Sequence, residues 1–184
     1  MATSPEPHSA LALSQFFEFA ELEPAVASDL VERLTTDHWE TTPQWYSLFW
    51  PLLTADHNLN SNVENIAAQV IRLQPGTDDT QELREVVLTL VTSPELAIEV
   101  AEPSVYWDGP GTPIAVRLQE GAVLVNRSSP AFADDLIAAI EVVSARRHSR
   151  FVVCPECGES NPPEHRMGSA LCHGCAQENH GVIF

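Results

Sequence analysis

The sequence predicts an α+β fold with three parts: an N-terminal helical layer, a three-stranded antiparallel meander with a covering helix, and a small C-terminal module built on cysteines. Three observations lead there. As far as about residue 91, apolar residues recur at the 3.6-residue period of a helix. After Ser93-Pro94 the period shortens to two, as in strands with one buried face. Beyond the body, all four cysteines fall in two Cys-x2-Cys pairs, Cys154-Pro155-Glu156-Cys157 and Cys172-His173-Gly174-Cys175, with fourteen residues between them. The expected partition is a disordered tail over 1–8, an α+β body over 9–149 and the cysteine module over 150–184.

Taken in order, Ser9 is placed to cap a first helix whose apolar stripe is Leu13, Phe16, Phe17 and Ala20. Pro24 suits the first turn of a second helix, with Val26, Leu30, Val31 and Leu34 along one side. A third helical piece follows Thr42-Pro43 and carries Trp45, Tyr46, Phe49 and Trp50; Pro51 must kink or end it. Ser61-x-x-Glu64 reads as a capping box before the stripe Val63, Ile66, Ala67, Val70 and Ile71, which Pro75-Gly76 stops. Asp79-x-x-Glu82 opens a further helix with Leu83, Val86, Val87, Leu90 and Val91 on one face.

The meander comes next. Leu96, Ile98 and Val100 alternate with small or polar residues, and Val105 and Trp107 continue the strand past Pro103, which marks a bulge or an edge. Asp108-Gly109-Pro110-Gly111 predicts a turn, and Ile114, Val116 and Leu118 a second strand. Glu120-Gly121 predicts another tight turn before Val123-Leu124-Val125. Ser129 and Pro130 then open a last helix that buries Phe132, Leu136, Ile137, Ile140 and Val143. Arg146, Arg147 and His148 fall at its C-terminus, where cations suit the helix dipole. Phe151-Val152-Val153 leads into the cysteine module as a strand, and Val182-Ile183-Phe184 is placed to close it.

The cysteine spacing has a direct chemical reading. A Cys-x2-Cys turn brings two sulfurs to one side of a knuckle, and two such knuckles supply four thiolates at tetrahedral corners. Gly158 follows the first pair, where the backbone of such a turn needs a positive φ. The module over Arg150–Phe184 resembles a zinc ribbon of the rubredoxin-like family, through Cys154-Pro155-Glu156-Cys157-Gly158. The second knuckle has Ala176 where that family often has Gly. The resemblance implies one structural zinc per chain, held by Cys154, Cys157, Cys172 and Cys175. Four cysteines close the coordination shell, whereas catalytic zinc keeps a position open for water. His165, His173 and His180 lie nearby and are expected in solvated loops. Zinc is favoured over iron, because no aromatic residue lies between Cys154 and Cys175. A thioredoxin-type redox pair is excluded by the second Cys-x2-Cys and the lack of a βαβ setting, and a zinc deaminase by the absence of its Pro-Cys-x-x-Cys, since Val153 and Leu171 precede the two pairs.

Composition narrows the function. The net charge is −17, all of it in residues 1–144, which hold 22 acids and 5 arginines; residues 145–184 balance 4 acids with 4 arginines. A nucleic-acid binder usually carries a basic stripe; here the basic cluster is Arg146, Arg147 and Arg150. The chain has no lysine. There is no apolar run long enough to span a bilayer and no secretory signal pattern, so a cytoplasmic protein with reduced thiols is expected. Dinucleotide, phosphate-loop and His-Glu-x-x-His motifs are all absent.

Residues 63–143, in the order helix, helix, Ser-Pro-Glu-Leu, meander and helix, are similar to the later part of the EspG-like chaperones of type VII secretion. That likeness implies a cytosolic protein that binds other proteins. The leading expectation is thus a non-catalytic, zinc-binding interaction or adaptor protein with a protein partner. The alternative is a nucleic-acid-associated regulator using the ribbon with Arg146, Arg147 and Arg150, and an enzyme comes third. Metal removal is expected to unfold the module and spare the body.

Overall fold

A computed structural model describes residues 7–37, 39–41, 70–75, 85–91, 96–107 and 113–183. The third helical piece around Trp45–Trp50, the capping boxes at Ser61 and Asp79, and the turn at 108–111 lie outside these residues.

Helix α1 spans Pro7–Phe19 and α2 spans Pro24–Thr36. The first begins before Ser9, which lies inside it rather than at its cap. Pro7 suits a first helical position, where its missing N–H would be an orphan anyway. The predicted stripe holds: Leu13, Phe16, Phe17 and Ala20 are buried, and the Phe16 and Phe17 rings meet edge to face at 5.5 Å. In α2, Pro24 occupies the first turn, and Leu30 and Leu34 are buried. Arg127 reaches back to the end of α1 and donates from Nη1 to the carbonyls of Ala20 (2.8 Å) and Glu21 (3.1 Å). It thereby satisfies acceptors that a helix terminus leaves open.

The sheet is an antiparallel meander, and among the described residues it has five strands in sequential order. They are β1 (Trp39–Thr41), β2 (Val70–Pro75), β3 (Val86–Val91), β4 (Ala97–Trp107) and β5 (Pro113–Asn126). Two of these correct helices expected from periodicity. Val70 and Ile71, read as the end of a helical stripe, pair with Thr89 and Leu88. Val86–Val91 is likewise a strand, with Val86, Val87, Leu88, Thr89 and Leu90 all buried. A strand buried on both faces has no polar alternation, and its apolar run satisfies a helical template equally well.

Glu120-Gly121 does not reverse the chain, so the second and third strands of the expected meander are one strand, β5. The register against β4 jumps there, from Val100↔Val123 to Glu102↔Leu118, just before Pro103. Gly121 has φ +76°, and the Arg146 guanidinium occupies the space where a Cβ would stand. Only glycine meets both conditions.

Helix α3 spans Phe132–Ser149 and packs over β4 and β5, while α1 and α2 lie toward β1 and β2. It starts two residues later than Pro130. Ser129 still organises the start: its Oγ accepts from the Ala131 N–H at 3.3 Å and donates to Asp135 at 2.7 Å. The core lies between these helices and one face of the sheet. Leu136, Ile140 and Val143 of α3 join Leu88, Ile98, Val100 and Val125 of the sheet and the stripes of α1 and α2. The fold class is α+β, with the N-terminal helices, the antiparallel meander, the covering helix and the C-terminal cysteine cluster in the expected order. No helix among the described residues is long and apolar enough to cross a membrane.

Candidate metal centre

After α3 the chain forms a short hairpin, β6 (Val152–Val153) with β7 (Ser160–Asn161). The first cysteine pair is its tip. Cys154 N–H donates to the Glu159 carbonyl at 2.7 Å, and Gly158 N–H donates to the Cys154 carbonyl at 2.9 Å. Gly158 has φ +77° with nothing near a would-be Cβ, so its requirement is conformational alone. A single 3₁₀ turn over Pro163–His165 follows, then a second hairpin, β8 (Arg166–Met167) with β9 (Leu171–Cys172).

The second cysteine pair differs from the first. It opens helix α4, His173–His180, with Cys172 at the N-cap. The Cys172 Sγ accepts from the Cys175 N–H at 3.4 Å, the bond that a capping hydroxyl or carboxylate ordinarily makes. This accounts for Ala176: the position is buried helix, not a turn needing glycine. Gly174 is also helical, and a Cβ there would meet the Cys172 sulfur only at an ordinary 3.9 Å. The closing strand expected at Val182–Phe184 is not formed over the described residues 182 and 183. Gly181 instead ends α4 at φ +65°, and the N–H groups of Gly181 and Val182 return to the Ala176 carbonyl. A left-handed C-terminal residue of this kind commonly stops a helix.

The two arms bring Cys154, Cys157, Cys172 and Cys175 together, with all four sulfurs within 4.8 Å of one another. Cys157 Sγ and Cys172 Sγ are 3.8 Å apart. Zinc–sulfur bonds of about 2.3 Å in a tetrahedron place neighbouring sulfurs about 3.8 Å apart, whereas a disulfide needs about 2.05 Å. All four cysteines are free thiols, and all but Cys157 are buried.

The electrostatics fit a cation as well. Backbone N–H groups of Cys157 and Cys172 draw the Cys154 thiol down to about 6. The Cys172 sulfur and burial push Cys175 up. Four thiols this close cannot all ionise unaided, and a divalent ion supplies the charge that allows it. The donor set and spacing therefore suit a tetrahedral metal ion.

Glu156 ties the arms together from outside the cluster. It accepts from Asn179 Nδ2 at 2.7 Å and pairs with His180 Nε2 at 2.6 Å. The Asn179 bond, then His180, holds its carboxyl below the usual range. Neither residue was flagged by spacing, since Glu156 and Asn179 are 23 positions apart. His165 and His173 stand apart from the sulfurs, with ring centroids 6.1 Å from each other. Burial, then His165, lowers the pKa of the half-buried His173.

The basic cluster is committed internally. Arg146 Nε donates to Glu102 Oε1 at 2.6 Å and its Nη1 to the Gly121 carbonyl at 2.5 Å. Arg150 donates to Glu102 Oε2 at 2.9 Å. Arg147 is buried and donates to the Pro103 carbonyl at 2.6 Å and to Glu164 at 2.7 Å. Glu102 and Glu164 thus belong to the same joint as the three arginines, and no local pattern announces them.

No family model, curated protein or solved structure matches this chain. The likeness of residues 63–143 to EspG-like chaperones finds no support there, and the described parts of its two leading helices are strands.

Proposed function

We propose that the protein is a non-catalytic interaction or adaptor protein whose C-terminal module is held by one structural zinc ion. The observation that carries the zinc reading is the set of four sulfurs within 4.8 Å, with a 3.8 Å edge between Cys157 and Cys172. Zinc is the usual occupant of a closed four-thiolate tetrahedron, and such a shell leaves no open position for substrate or water. Its role is then to give shape to a segment too small to bury a core. The expected compartment is the cytoplasm, where thiols stay reduced.

The adaptor reading rests on charge and surface. The chain carries −17, and Arg146, Arg147 and Arg150 all engage acids of the same chain. This weighs against the nucleic-acid alternative, which needs those arginines for phosphates. Leu11 and Phe19 of α1 are exposed, and a partly apolar groove of about 510 Å³ runs between α1 and α2. A protein partner engaging the apolar or acidic surface of the body is the expected ligand. The test is elemental analysis of the purified protein, followed by affinity capture from native lysate with and without nuclease. One zinc per chain and a nuclease-resistant partner support the reading. Absence of zinc overturns the metal assignment, and tight duplex DNA binding at physiological salt overturns the adaptor role.

A further inference from the structure

The Pro163–His165 turn lies in the stretch between the two cysteine pairs and packs against β4. From it Glu164, whose side chain is 5% exposed, meets Arg147 Nη2 at 2.7 Å. Arg147 belongs to the last turn of α3 and is itself 5% exposed. Its other contacts are the Pro103 carbonyl of β4, Glu85 at 3.5 Å just before β3, and the Phe151 ring, 5.5 Å below the guanidinium carbon. Arg147 Nε has no hydrogen-bond partner among the described residues. A second link runs alongside: Glu102 of β4, 2% exposed, holds both Arg146 and Arg150, and Arg150 directly precedes the module.

A buried cation is tolerated only while its counter-charge is in place; removing one partner of such a pair is far more harmful than replacing both. Glu164 is delivered by residues 158–171, whose ends are the two cysteine pairs. The module's described buried apolar residues are Cys154, Cys172, Cys175 and Ala176, and each of its hairpins has two residue pairs. Segments of this kind are ordered with metal and disordered without it, which supplies the two-state element that coupling requires.

We propose that Glu164 and Arg147 couple metal loading of the four-cysteine site to the packing of α3 on β4. A loaded module presents Glu164 to Arg147. An unloaded one withdraws it and leaves Arg147 buried with the more distant Glu85. The metal state is thereby reported inside the body, beyond the module's own boundary. Linkage makes the effect reciprocal: weakening the Glu164–Arg147 pair weakens metal binding, although neither residue is a ligand. The proposal rests on the zinc reading above.

The test uses the full chain under reducing conditions, with zinc affinity measured by chelator competition. Glu164→Gln is expected to lower zinc affinity about tenfold, within the usual range of coupling between sites. In an Arg147→Met background the same change is expected to alter affinity less than about twofold, since the partner through which it acts is gone. A purely local role for Glu164 in the module predicts the same loss in both backgrounds and would overturn the proposal. Amide exchange on the unaltered protein provides the second measurement, independent of whether the variants fold. Zinc removal is expected to speed exchange at Ala101, Glu102 and Ser144–Ser149, while Leu13–Phe17 and Leu88 keep their protection. A change that stops at Arg150 would overturn it. Wild-type protein that binds no zinc refutes the zinc reading itself, whereas zinc bound equally by wild type and Glu164→Gln refutes the coupling alone.

Discussion

A continuous apolar cluster runs through the body from Leu13 of α1 to Val143 of α3, whereas the described buried residues beyond Arg150 are three cysteines and Ala176. The body is a layered structure whose helices cover a sheet, and its stability comes from removing apolar area from water. The module has two minimal hairpins, a 3₁₀ turn and an eight-residue helix around four sulfurs. On the zinc reading proposed above, its stability comes from the ion those sulfurs would share. The lesson is that a chain can carry two kinds of folding determinant, one spread over many residues and one concentrated in four.

The sharpest way to break this contrast is to remove the metal. Structural zinc contributes on the order of 10 kcal/mol in small modules, so chelation under reducing conditions should abolish amide protection at Cys154–Ala176. The helical signal of the body should persist; its loss would show one cooperative unit. Next in size, Cys154→Ser should reduce bound zinc well below one per chain by elemental analysis, because it removes a buried thiolate and the N–H···S bond from Cys172. On the other side, Leu136→Ala should cost about 2–5 kcal/mol in denaturant unfolding, as expected for a fully buried leucine. Zinc content should stay unchanged. Gly158→Ala should cost about 1 kcal/mol, since the alanine must adopt a positive φ but meets no clash; chelator competition would show zinc held severalfold less tightly. His173→Ala should leave zinc stoichiometry unchanged, and a loss would make His173 a ligand.

The same contrast explains what was legible beforehand. The clustering of the four cysteines could be read directly, because two Cys-x2-Cys pairs at this separation have the spacing of a shared metal site. The stripes of α1, α2 and the helix after Ser129 were readable because each has one buried face. Val86–Val91 was misread because Leu83, Val86, Val87, Leu90 and Val91 fit a helical stripe, while a strand buried on both faces leaves no period of two. Its β-branched valines were the available signal. Glu120-Gly121 read as a tight turn, whereas the positive φ of Gly121 serves a register irregularity inside β5. The joint of Glu102, Arg146, Arg147, Arg150 and Glu164 was hidden, because its partners lie 17 to 48 positions apart. Tertiary pairing of that kind leaves no trace in local pattern.

Cys172 places two demands on one atom. Its sulfur belongs to the four-cysteine cluster and also accepts the Cys175 N–H that begins α4. Serine would serve as the helix cap, yet its hydroxyl is a poor zinc ligand. Histidine would serve the metal, yet it is not among the residues that cap well. Position 172 therefore admits a narrower set of replacements than Cys157, whose sulfur is not the N-cap acceptor: besides cysteine, aspartate is the capping side chain that also ligates zinc, and it would exchange a soft sulfur for a hard oxygen.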